Sequence, residues 1–225
     1  MEHKFYKASP KEQRKIQLII GIVALLIVIL FFLLAWFTGI YFIGFLGLFV
    51  VLTIVAPFID VPEAKKSGKF RYHSLLFLSE KPKAGSIQIH GGTLFDYLFV
   101  IDRKWNGGKR TNFILQQYLE GLLKLIEALE KQENQNIKIQ GTSYIINERT
   151  ANRLGFREVP TANLQKIILL YNYVNVLITY SISKGKLSFP NVLKTKTYEA
   201  NLEELLDKKH IIRGLARKLS VSFTS

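Results

Sequence analysis

Residues 16–37 read IQLIIGIVALLIVILFFLLAWF, and residues 40–59 read IYFIGFLGLFVVLTIVAPFI. Gln17 is the only strongly polar residue of the first stretch. As an α-helix this stretch would be about 33 Å long, enough to cross the hydrocarbon core of a bilayer. A signal peptide has a shorter apolar region, followed by a cleavage site rather than by a second apolar stretch. The pattern therefore predicts two transmembrane helices that form a tight antiparallel hairpin around Thr38 and Gly39.

Basic residues flank the two stretches at the two ends that a hairpin places on the same side of the membrane. Five precede the first stretch and four soon follow the second, whereas the connection has none (Lys4, Lys7, Lys11, Arg14, Lys15; Lys65, Lys66, Lys69, Arg71). Positively charged flanks stay in the cytoplasm. We therefore expect an integral protein of a bacterial inner membrane, with both termini and the main domain on the cytoplasmic side.

The remaining chain is long enough for one globular domain. We divide the sequence into a basic tail (1–15), the hairpin (16–59), a linker (60–69) and a cytoplasmic α+β domain (70–225). The chain has 31 Lys and Arg against 17 Asp and Glu, a net charge of +14. Beside a bilayer, such an excess favours contact with anionic lipid headgroups. Nucleic acid also suits the charge, but neither the membrane tether nor a motif supports it.

The residue types also restrict the chemistry of the domain. The sequence has no cysteine, which excludes disulfides and thiolate metal sites. Its four histidines are scattered without metal-ligand spacing, so we expect no metal centre.

Periodicity and turn residues predict the elements of the domain. We expect strands at 72–78, 86–90, 93–102, 136–146 and 156–159, with a hairpin turn at Gly91-Gly92. We expect helices at 111–131, 147–154 (capped by Asn147), 164–183 and 199–219.

The segment 164–183 is mostly apolar. Its polar residues form one narrow stripe along a helix (Gln165, Asn172, Asn175, Thr179, Ser183). Two central asparagines and the lysines that follow disfavour a third membrane span. A buried helix, or one lying against the bilayer surface, fits better, and the third span remains the alternative.

One part of the chain resembles a known superfamily. Residues 94–159 are predicted to run strand, glycine-containing basic loop, long helix, strand, short helix and strand, with Asn147 and Ala151 followed by Leu154-Gly155-Phe156. This order is similar to the core of the GNAT acyltransferase superfamily. The chain departs from the family pattern in the spacing of its glycines. It also lacks the tyrosine that many members use as a general acid.

The resemblance implies an acyl-coenzyme A ligand. In the family, loop amides and a helix N-terminus hold the pyrophosphate, because unpaired backbone donors favour an anion. A strand over 97–102 would lead into that loop here. The corresponding ligand-binding residues are Gly107, Gly108, Lys109, Arg110 and Thr111.

Three residues are candidates for acid–base catalysis. His90, with Asp96 nearby, could act at the mouth of a cleft, although such residues often only close a turn. Glu148 could be a base, although an acid at a helix start is also explained by the helix dipole.

These observations lead to two alternative functions. The first is a membrane-anchored GNAT-like protein that binds acyl-CoA or a similar phosphorylated ligand and, if it is an enzyme, transfers the acyl group to an amine of a membrane-associated acceptor. The second is a non-catalytic accessory or scaffold subunit of an envelope complex, with membrane lipid and a membrane protein as its partners.

Overall fold

The structure, a computed structural model, describes residues 2–131, 137–143, 146 and 148–224. The helices are α1 (Lys4–Lys7), α2 (Pro10–Thr38), α3 (Phe42–Lys66), α4 (Leu94–Val100), α5 (Gly107–Glu130), α6 (Glu148–Arg153), α7 (Asn163–Tyr171), α8 (Tyr173–Lys184) and α9 (Leu202–Thr224). The strands are β1 (Phe70–Tyr72), β2 (Phe77–Glu80), β3 (Ser86–Gly91), β4 (Lys138–Ser143), β5 (Arg157–Val159) and β6 (Lys196–Asn201).

The two apolar stretches form helices, as predicted, and both are long and apolar enough to cross a membrane. A capping box between Ser9 and Glu12 starts α2, and Gly39, with a φ of 71°, ends it. The two helices pack closely, since a Cβ added at Gly47 would lie only 2.3 Å from Cγ of Phe31. Helix α3 continues to Lys66, so most of the predicted linker 60–69 is helical.

Two prolines lie inside α3, and each removes a backbone donor. Pro57 cannot donate to the carbonyl of Thr53, and there the Asn175 side-chain amide donates instead, at 2.8 Å. Pro62 cannot donate to the carbonyl of Phe58, which accepts from the Gln17 side-chain amide at 3.0 Å. Both carbonyls therefore regain a partner from another helix.

The strands form one mixed six-stranded sheet in the order β1-β2-β3-β4-β6-β5. Strands β3 and β4 are parallel, joined through α4 and α5, and the other neighbouring pairs are antiparallel. Side chains from the sheet, α5, α6 and α9 share one core, which includes Ile87, Ile126, Ile139, Ala200, Leu205 and Ile212. The domain is thus a mixed sheet with helices packed against it.

The predicted strand at 93–102 is wrong, because this segment forms α4. The backbone N–H and the hydroxyl of Thr93 both donate to the Asp96 carboxylate, at 2.7 and 2.9 Å. This pairing starts a helix rather than a hairpin. Because 97–102 is not a strand, the order of elements implied by the GNAT resemblance begins differently from our expectation.

Three other predicted elements are divided differently. The strand at 72–78 is split into the end of β1 and the start of β2. The helix at 164–183 breaks at Asn172 into α7 and α8. The helix at 199–219 starts only at Leu202, because 196–201 forms β6. The predicted cap Asn147 lies outside the described residues.

The N-terminal tail packs on the domain. Phe5 is buried against Phe95 with ring centroids 5.0 Å apart, and His3 is stacked on Phe95 at the same distance. His3 Nε2 lies 3.3 Å from Asp96 Oδ1. The tail therefore holds α4 close to the N-terminal end of α2.

Candidate functional site

A large cavity lies where β3 and β4 separate. Their parallel pairing runs from Ser86–Lys138 to Ile89–Gly141, beyond which β3 continues along β2 and β4 along β6. A cavity of about 730 Å³ is lined by residues of both diverging ends. Ile89 and His90 of β3 and Thr142 and Ser143 of β4 all line it. The cavity therefore lies at the point where these two strands separate.

The cavity wall is mainly apolar, and helices supply most of it. Helix α5 contributes Leu115, Tyr118, Leu119 and Leu122, α9 contributes Leu215 and Leu219, and α7 and α8 contribute Leu169 and Val176. Pro57 of α3 also lines it. Ligand pockets commonly measure about 300–1,000 Å³ and combine an apolar wall with a few polar groups. This cavity has the size and lining expected for an apolar chain.

Four polar residues of the wall come from the stripe noted in the sequence. Gln165, Asn172, Asn175 and Thr179 all line the cavity. Asn175 is 7% exposed, and its Oδ1 accepts no hydrogen bond from the part of the chain that the structure describes. A ligand with a hydroxyl or amide donor could satisfy this oxygen, whose burial is otherwise unfavourable.

His90 lies at the rim of the cavity. Its Nε2 lies 3.0 Å from Oε1 of Glu80, on the neighbouring strand β2. A carboxylate in this position holds the imidazole with its proton on Nε2, which leaves Nδ1 able to accept a proton. The sequence had suggested Asp96 as the partner, but the structure supplies Glu80 instead.

The other two catalytic candidates lie in different clusters. Asp96 is fully buried, accepts from Tyr72 Oη at 2.5 Å and helps to hold the N-terminal tail. Burial, followed by the Asp96 charge, raises the pKa of Tyr72 well above its usual range. Glu148 accepts from the Lys196 ammonium at 3.2 Å on an exposed surface. The structure thus does not bring His90, Asp96 and Glu148 together.

The predicted phosphate loop lies against the end of α8. Arg110 Nη1 donates to the Ile182 carbonyl at 2.8 Å, and Thr111 Oγ1 donates to the Ser183 carbonyl at 3.1 Å. A Cβ added at Gly107 would lie 2.0 Å from the Lys184 carbonyl oxygen. The predicted residues are together, but the last turn of α8 fills the space in front of Gly107. A phosphate could reach its amide only if that turn moved away.

The remaining two residues of that loop, Gly108 and Lys109, lie in the first turn of α5. The Lys109 backbone N–H donates to the Asn106 side chain at 2.8 Å, which caps α5. A Cβ added at Gly108 would meet only Asn106 Oδ1, at 3.4 Å.

A smaller polar cleft of about 590 Å³ lies beside β1 and α5. His73 lines it and pairs with Ser79, with 2.8 Å between Nε2 and Oγ. Burial, with smaller contributions from the Arg71 and Lys124 charges, lowers the pKa of His73 to about 4. His73 is therefore a buried neutral histidine at neutral pH.

Comparisons with protein-family models, curated proteins and solved structures find no match for this chain. Among the residues that the structure describes, no group of three or more His, Asp or Glu could hold a metal ion. The function must therefore be argued from the geometry of the cavity.

Proposed function

We propose that this is a membrane-anchored, GNAT-like protein that binds an acyl-CoA, with the acyl chain in the cavity between β3 and β4. Helices α2 and α3 cross the membrane as a hairpin, and the mixed-sheet domain lies on the cytoplasmic side. The observation that carries the proposal is the apolar cavity of about 730 Å³ at the point where two parallel strands separate.

The order of elements supports the GNAT-like part of the proposal. Strand β3 is followed by the long helix α5, the parallel strand β4, the short helix α6 with Leu154-Gly155-Phe156, and β5. This order matches the one that the resemblance implies if β3 takes the place of the predicted strand at 97–102. Helix α4 is then an insertion between β3 and α5.

His90 is the residue that we assign to acyl transfer. The nitrogen of an acceptor amine attacks the thioester carbonyl carbon, a C–N bond forms and the C–S bond breaks. Nδ1 of His90 takes the proton that the amine loses, and the CoA thiolate leaves and receives this proton from the imidazolium. Glu80 orients the imidazole, the role that a carboxylate has beside a catalytic histidine.

Thermal unfolding of the full-length protein in lipid nanodiscs tests the binding. Palmitoyl-CoA at about 100 times its Kd should stabilise the protein by roughly 2.7 kcal/mol, and CoA without an acyl chain should stabilise it much less. Leu169→Trp fills the cavity from α7 and should abolish the shift. Its neighbour Leu170 is 64% exposed, and Leu170→Trp is the matched control that should keep it.

Equal shifts with palmitoyl-CoA and CoA would contradict the placement of the chain in the cavity. No shift with either ligand would overturn the acyl-CoA proposal and favour the accessory subunit. For the reaction, His90→Gln should keep the palmitoyl-CoA shift and abolish release of CoA thiol in the presence of an amine-bearing lipid. An unchanged rate of thiol release in that variant would contradict the role of His90.

A further inference from the structure

Helix α8 follows the cytoplasmic half of α3 in register. Tyr171, just before α8, contacts Phe49 with ring centroids 5.3 Å apart, and Asn175 donates to the Thr53 carbonyl. Farther along, Ile178 packs in the cluster that contains Phe58. Increasing residue numbers in α8 thus match increasing numbers in α3, and both helices run in the same direction.

The first of these contacts lies deep within the apolar part of α3. Asp60 is the first charged residue of α3, and Phe49 lies about 16 Å before it along the helix axis. The hydrogen bond from Gln17 to Phe58 places the start of the apolar part of α2 at a similar level. Half of the hydrocarbon core is about 15 Å thick. Residues 171–173, which we name the apex, would therefore lie near the middle of the bilayer.

Helix α7 connects the apex to the sheet. Just before α7, Thr161 accepts from the Thr197 hydroxyl of β6 at 3.0 Å. Most exposed side chains of α7 are apolar: Leu164 is 67% exposed, Ile167 63% and Leu170 64%. Lys166 is its exposed charged residue, and a long lysine side chain within a membrane can extend toward the headgroups. The polar residues Gln165 and Asn172 line the cavity instead. Helix α7 thus has an apolar outer face that is continuous with the exposed apolar surface of the hairpin.

The asparagines near the apex do not prevent burial in hydrocarbon. The Asn172 amide donates to the Ile168 carbonyl at 2.9 Å, and the Asn175 amide donates to the Thr53 carbonyl. A polar side chain within a membrane is stabilised when its donors are satisfied by protein. Irregular backbone at the α7–α8 break is likewise tolerated where it is packed on protein.

We infer that α7 and α8 form a re-entrant element that enters the cytoplasmic leaflet, places its apex near the bilayer midplane and returns without crossing. Lipid hydrocarbon covers the outer face of α7. This inference rests on the proposed membrane crossing of α2 and α3. It differs from a helix lying on the surface, because the apex contacts α3 far below the headgroups.

Nitroxide depth measurements test the inference, and the absence of native cysteine makes single labels simple. Leu164→Cys and Leu170→Cys are labelled in the full-length protein, with Leu52→Cys on α3 and Lys83→Cys in the domain as references. The protein is placed in vesicles of phosphatidylcholine and phosphatidylglycerol. The ratio of collision rates with oxygen and with a water-soluble nickel chelate reports the depth. The ratio at Leu170 should approach that at Leu52 and exceed those at Leu164 and Lys83.

Each other outcome overturns the inference. A ratio at Leu170 like that at Lys83 places the apex in water, and low collision rates with both reagents mean that a protein surface or a second copy covers α7. A ratio of collision rates at Leu52 that is typical of water would overturn the membrane-crossing hairpin itself. The palmitoyl-CoA shift is measured on the same labelled proteins, so failure of ligand binding remains distinguishable from failure of the re-entrant geometry.

Discussion

At the scale of single residues, two side-chain amides complete the backbone of α3. Asn175 and Gln17 each donate to a carbonyl that a proline leaves without its helical partner. Such carbonyls are unfavourable in an apolar environment unless they are paired. This explains why Gln17 interrupts an otherwise apolar stretch. It also explains why the stripe on α8 includes an asparagine.

Removing the Asn175 amide should destabilise the protein by about 1–3 kcal/mol, because the Thr53 carbonyl is left unpaired. In a Pro57→Ala background the new N–H at position 57 can donate to Thr53. Asn175→Leu should therefore have a smaller effect there, which thermal unfolding in detergent would measure as a coupling energy. Asn175→Leu combined with Pro62→Ala is the control, and its two effects should add. Equal coupling energies in the two double variants would contradict the hydrogen bond between Asn175 and the Thr53 carbonyl.

The stability of the domain should fall as the pH is lowered from about 6.5 to about 4. His73 takes up a proton near 6.5 when unfolded but only near pH 4 when folded, so its contribution is complete above the unfolded pKa and is lost below it. The loss should be on the order of 2–3 kcal/mol.

His73→Gln should flatten this dependence, measured by chemical denaturation of the full-length protein at pH 7.5 and pH 4.5. The same substitution at the exposed His210 controls for the loss of a histidine. A His73→Gln variant with the wild-type loss of stability would show that another group is responsible.

At the scale of elements, the contact between α5 and α8 positions one wall of the cavity. Gly107→Ala should cost more than about 2 kcal/mol, because its Cβ would overlap the Lys184 carbonyl. Gly108→Ala is the matched control and should change the stability by less than about 0.5 kcal/mol. Equal effects in thermal unfolding would show that Gly107 does not pack against the last turn of α8.

Sequence periodicity predicted the elements whose pattern is local and long. Helices α2, α3 and α5 have such patterns, and the structure confirms them. Helix α4 was missed although Thr93 and Asp96 have the spacing of a capping box, because Gly91-Gly92 suggested a hairpin turn instead. Strand β6 was missed because its partners, β4 and β5, are distant in sequence and adjacent only in the fold.

At the scale of the whole molecule, the cavity could not be predicted from the sequence. It depends on where β3 and β4 stop pairing and on how α7 and α8 lie beside them, and neither follows from local pattern. The polar stripe on 164–183 can be recognised in the sequence, but the sequence does not show that the stripe faces the cavity. Likewise, His90 was a candidate from the sequence, whereas its pairing with Glu80 required the register of β2 and β3.

The central claim is that the hairpin holds the domain on the cytoplasmic side of a membrane. Labelling of single cysteines in intact cells with an impermeant maleimide tests it most directly. Ile40→Cys, in the connection between α2 and α3, should be labelled from outside, whereas Lys83→Cys, in the domain, should be labelled only after permeabilisation. Labelling of Lys83→Cys in intact cells, with protection of Ile40→Cys, would contradict this topology.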